Sequence, residues 1–138
     1  VGAVRVLKAA MPALSAAESA SVVFFGTVAA AVGMQFHASV ASAKAGLIGL
    51  AKSLAAEYAA KAIRFNVVSP SLTDTPMAAR LLRDDKKRAA AAERHPLQRV
   101  GNPEDIASAT VFLLDPDNSW ITGQVIGVDG GLSAISGL

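Results

Sequence analysis

Thr27, Lys44, Asn66 and Thr75, set around Val40, are the residues of this 138-residue chain whose types and placement say most about chemistry. The hydroxyl of Thr27, in "VVFFGT", can donate a hydrogen bond to a carbonyl oxygen, with an extra methyl crowding the space around it. Lys44, in "SVASAKAGLIGLAKSLAAEY", puts a cation on what reads as a long helix, and position 40 lies one turn earlier on the same face. The residue there is Val40, which cannot titrate, donate or accept. The stretch "RFNVVSPSLTDTPM" then gathers Pro70, Ser71, Leu72 and Thr75 into one turn, with proline fixing the backbone and exposed main-chain groups left available. Each feature also has a bland reading: a strand-end threonine, a surface lysine, and a turn followed by a helix cap.

The elements that must position these residues follow from periodicity. Val4, Leu7, Met11 and Leu14 recur at helical spacing, so the chain up to about Ser15 is expected to be an amphipathic helix that Pro12 kinks or ends. Ser21 to Gly26 is a β-branched and aromatic run without alternation, as expected for a strand covered on both faces of a parallel sheet. Residues 39–60 form the clearest helix, with Val40, Lys44, Leu47, Ala51, Leu54 and Tyr58 at steps of three and four. Ile63 to Val68 and Gln124 to Val128 read as two further strands. Thr75-Pro76 is a cap followed by proline at the first helical position, opening a helix that runs toward His95-Pro96. Asn102-Pro103-Glu104-Asp105 opens another, stopped by Asp115-Pro116. The order is helix, strand, helix, strand, helices, strand, which implies parallel strands with right-handed crossovers in an α/β fold.

Composition narrows the class. The chain is 52% hydrophobic and 17% charged, rich in alanine, and long enough for one domain at most. A net charge of +2, with acids interspersed among the basic residues, excludes a nucleic-acid stripe. Without cysteine there are no disulfides or thiolate metal sites, and His37 and His95 lack metal-ligand spacing. No apolar run approaches the ~20 residues that span a bilayer, and no signal peptide opens the chain, so a cytoplasmic protein is expected. His37 is a candidate substitute acid because it is near Val40 and imidazole titrates near neutrality, although a loop histidine is more often a pocket wall. Tyr58 lies about five helical turns beyond Val40, roughly 27 Å, and cannot stand in within one subunit.

The series Thr27, position 40, Lys44, Asn66-x-x-x-Pro70 and Thr75, closed by "SWITGQVIGVDGG", resembles the second half of the short-chain dehydrogenase/reductase family. The resemblance implies a Rossmann-like doubly wound parallel sheet, of which these three parallel strands with flanking helices are the C-terminal half. Residues 1–138 would then be a single partial domain. It also implies NAD or NADP as cofactor and hydride transfer between a carbonyl and an alcohol in a small-molecule substrate. In that family a tyrosine moves the proton, at the position of Val40. The lysine at the position of Lys44 lowers the tyrosine's pKa and bonds the nicotinamide ribose. A serine at the position of Thr27 polarises the substrate oxygen. The turn corresponding to Pro70, Ser71, Leu72 and Thr75 holds the nicotinamide carboxamide, with Ser71 standing where glycine is usual.

The family's glycine-rich nucleotide-binding turn has no counterpart here, so the nucleotide half is expected to lie upstream of Val1, and this chain alone is expected to be impaired or inactive. The resemblance further implies a homodimer or homotetramer through the first and the long helices, with Ala41, Ala45, Ile48 and Ala55–Ala56 as a small-residue contact face. A non-catalytic binding or scaffold subunit of the same kinship is the rival reading. A half-length chain that functions by exchange with another copy is the third.

Overall fold

A computed structural model describes residues 1–135. Helix α1 (Gly2–Ala16) leads into strand β1 (Ala20–Phe25), a 3₁₀ turn at Val28–Ala30, and the long helix α2 (Ala38–Tyr58). Strand β2 (Ile63–Pro70), helices α3 (Asp85–Glu93) and α4 (Pro103–Leu114), and strand β3 (Val125–Val128) complete the chain. The sheet order is β1-β2-β3 and both pairings are parallel. The α/β reading and the parallel strands of the sequence are therefore what the chain adopts.

The core follows from strand alternation. Ile63, Phe65 and Val67 of β2 point to one face and pack with Phe24, Leu7, Ala51 and Ala55 beneath α1 and α2. Tyr58 tilts against Phe65, and Phe24 stacks on it. On the other face Leu113 of α4 is fully buried, and Ser21 Oγ donates to its carbonyl oxygen. β2, the central strand, is buried from Ile63 to Ser69.

Four expectations need correction. Pro12 does not end α1, which continues to Ala16 because Leu7, Met11 and Leu14 are held against the core. β1 is covered less closely than expected, although helices meet both of its faces, α1 and α2 on one and α4 on the other. Only Phe24 is buried, because β1 is an edge strand of the three. The segment from Pro76 to His95 is not one helix. A 3₁₀ turn at Pro76–Ala78 stops, and Asp84 starts α3 afresh by accepting a hydrogen bond from Lys87 N at 2.8 Å. Finally, Ala55 belongs to the core rather than to an outer contact face, whereas Ala45 and Ala56 are exposed.

α4 carries the cap its sequence announces. Asn102 Oδ1 accepts from Asp105 N at 2.9 Å, and Asp105 Oδ2 accepts from Asn102 N at 2.8 Å. Arg99 adds a two-pronged ion pair to the same carboxylate, at 2.6 and 2.8 Å. These bonds, first the guanidinium and then the Asn102 amide, hold the Asp105 carboxyl down at about 2.

Candidate active site

Parallel strands end their carboxyl termini on one side, and the loops that follow β1 and β2 meet there. A cleft of about 490 Å³ opens between them, lined by Thr27, Val40, Ser71, Leu72 and Thr75 together with His37, Arg94 and His95. Five of the seven residues singled out from the sequence thus border one space. Thr27 follows β1 and caps the 3₁₀ turn at Val28–Ala30, where its Oγ1 accepts from Ala29 N at 3.3 Å, leaving the hydroxyl proton free to be donated. Thr75 precedes the Pro76 turn, and its side chain makes no capping bond, so its hydroxyl is uncommitted to its own helix turn. Val40 on α2 is 40% exposed and contributes only methyl groups to the cleft.

The other two residues lie differently. Lys44 borders a neighbouring groove beside α1 and β1, and its Nζ donates to Phe25 O at 2.8 Å. That bond uses one of three ammonium donors and ties α2 to the end of β1. Pro70 is the last residue of β2 and pairs with Val128, so it positions the turn from within the sheet. Leu72 O accepts from Gly101 N and Asp74 N donates to Gly101 O, which pins the turn to the chain entering α4. Asn66 is not near the cleft. Fully buried, it donates to Ile121 O at 3.0 Å and accepts from Gln124 N at 3.0 Å, clamping the loop before β3.

The profile of the family described as Enoyl-(Acyl carrier protein) reductase matches residues 1–133. The chain belongs to the short-chain dehydrogenase/reductase family. A curated relative, the 3-oxoacyl-[acyl-carrier-protein] reductase FabG of Thermotoga maritima, is 38% identical over 131 residues, covering 95% of this chain and 52% of the relative. The ligand-free aldohexose dehydrogenase of Thermoplasma acidophilum superposes with a TM-score of 0.87 at 35% identity, covering 96% of this chain and 55% of that one. ElxO with NADP bound superposes at 0.85 with 28% identity, covering 91% of this chain and 51% of that one. The chain spans about half the length of the curated relatives it matches.

Sequence reasoning missed His95 as part of this short-chain dehydrogenase/reductase cleft. It stands 24 residues beyond Ser71, and its ring Nε2 lies 2.8 Å from Ser71 Oγ. No local spacing announces such a contact, since the turn after β2 and the end of α3 meet only through the fold. His37, the candidate substitute acid, does line the cleft, with its Nδ1 tied to Gln35 O at 2.6 Å. Among the described residues Arg94 is the permanent cation that lines the cleft.

Proposed function

We propose that this cleft is the nicotinamide and substrate site of an NAD(P)-dependent oxidoreductase acting on a small carbonyl or alcohol, with its proton-transfer position emptied by Val40. The observation that carries the reading is the convergence of Thr27, Val40, Ser71, Leu72 and Thr75 on one cleft at the carboxyl ends of β1 and β2. The residues present correspond to the C-terminal, nicotinamide-side half of the family's Rossmann-like domain.

The residues fit the nicotinamide end of the cofactor. The uncommitted Thr75 hydroxyl and the Leu72 backbone would hold the carboxamide, and Lys44, with two donors remaining, would meet the ribose hydroxyls. When bound, the cofactor supplies or accepts the hydride. Thr27 would orient the substrate oxygen through its hydroxyl. Without a titratable group at 40, proton transfer loses a factor of about 10²–10⁴ in rate, while binding is spared. The exposed glycines of α2, Gly46 and Gly49, have open space where a side chain would stand, which supports close helix contact in a homodimer or homotetramer.

An NMR-monitored titration with reduced nicotinamide mononucleotide tests the site. The proposal expects shifts at Leu72, Thr75 and Thr27, and no response to AMP. Shifts confined to other regions, or none, would refute it. A second reading, a non-catalytic binding subunit, is favoured by Val40 alone and expects ligand binding with no turnover in any variant at that position.

A further inference from the structure

His95 is 2% exposed, and both of its ring nitrogens are engaged. Nδ1 lies 2.8 Å from Ala91 O, a carbonyl in the last turn of α3 that has no helical donor of its own. A carbonyl oxygen only accepts, so Nδ1 carries the proton. In the neutral ring Nε2 is then a bare lone pair, and the Ser71 hydroxyl must donate to it. Its partner is the serine that stands where the family usually has glycine. Ser71 is half-buried and lines the cleft, so its oxygen lone pairs remain available to whatever occupies that space. Behind the pair lies a cleft of about 290 Å³, bordered by Arg99, Asp105 and Asp129, and Arg94 is the charged group on the cleft side.

A hydroxyl hydrogen-bonded to a fixed imidazole lone pair is an activated hydroxyl. We propose that Ser71 and His95 form a proton-accepting pair in this cleft, drawing the hydroxyl proton of an alcohol through Ser71 Oγ onto His95 Nε2. The role in alcohol oxidation rests on the redox reading above; the activation of Ser71 does not. In that oxidation the substrate O–H proton passes to Ser71 Oγ as the Ser71 proton passes to Nε2. The substrate carbon gives its hydride to oxidised nicotinamide dinucleotide, and the C–O bond becomes a carbonyl. The pair thus does by relay what Val40 cannot do directly.

Diisopropyl fluorophosphate tests the pair without any cofactor. Ser71 Oγ bonds to phosphorus, fluoride leaves, and the proton goes to His95. Peptide mapping of the full chain should find Ser71 modified about tenfold or more faster than the exposed Ser53, with that advantage lost in His95→Gln. The Ser71→Ala chain should take up no label at that peptide, and circular dichroism should find both variants still folded. Equal rates at Ser71 and Ser53, or a rate that His95→Gln leaves unchanged, would overturn the pair. Turnover of a secondary alcohol with NAD⁺ or NADP⁺ reads its role. His95→Gln should lower kcat by about 10²–10⁴-fold with KM little moved, and should have no effect once Val40→Tyr supplies a phenol. Fast labelling in a chain that turns over no alcohol would refute the alcohol role and the redox reading while leaving the activated serine standing. Slow labelling in a chain whose turnover ignores His95 would refute the pair and leave the redox reading standing.

Discussion

The two ends of β2 treat their polar residues in opposite ways. At the amino end Arg64 and Asn66 are buried and hydrogen-bonded to the chain before β3. Arg64 donates to Ile121 O and Asp115 O at 3.0 and 3.1 Å, and Asn66 bonds both Ile121 O and Gln124 N. Phe65 adds main-chain bonds to Thr122 Oγ1 and from Gly123 N. At the carboxyl end Ser69 Oγ is buried without a hydrogen-bond partner among the described residues, Thr75 is uncommitted to its turn, and Ser71 keeps lone pairs toward a cleft. The first end is a clamp that holds β3 in register. The second is left open, and open polar groups at the carboxyl ends of parallel strands are where such sheets bind ligands.

Removing the clamp should cost most. Asn66→Ala takes the partner of the Gln124 amide and one of the two donors to the Ile121 carbonyl, which keeps Arg64, and urea denaturation should show a loss of about 2 kcal/mol. A loss under about 0.5 kcal/mol would place Asn66 among ordinary surface positions and erase the contrast. The open end should behave in the reverse sense. Ser69→Ala deletes a buried hydroxyl that bonds nothing, so stability should hold or rise by up to about 1 kcal/mol. A clear destabilisation would mean that the hydroxyl is satisfied and that the two ends are alike.

The smallest effect concerns acid. The Asp105 carboxyl is held at about 2 in the folded chain, below its ordinary 3.8, by Arg99 and the Asn102 amide. A depressed carboxyl contributes stability above its unfolded value and loses it as pH falls toward the folded one. Unfolding midpoints should therefore decline between pH 4 and 2 in the natural sequence, and Asp105→Asn should flatten that decline. An identical slope in both chains would remove the cap from the account.

Much of this was legible before any coordinates. The strands announced themselves by β-branched runs, and the cap at Asn102 marked a helix start because side-chain chemistry there is local. Thr27, Val40 and the Ser71–Thr75 turn could be assigned to one site because family resemblance supplied the long-range contacts that spacing alone lacks. What stayed hidden was whatever depends on packing between distant segments. Pro12 inside α1 is tolerated because tertiary contacts outweigh a local rule. The break before Asp85 turned on a second capping residue, Asp84, that competed with the first. The Ser71–His95 contact bridges two segments whose separation carries no periodic signal.

The most direct test is to put a phenol back at position 40. If the cleft is a redox site from which one proton donor has been removed, Val40→Tyr introduced beside His95→Gln, where the relay is gone, should raise turnover of a secondary alcohol with NAD⁺ or NADP⁺ by about 10²–10⁴-fold, with affinity for reduced nicotinamide mononucleotide unchanged. An unchanged rate in that double variant, still binding the mononucleotide, would contradict the account.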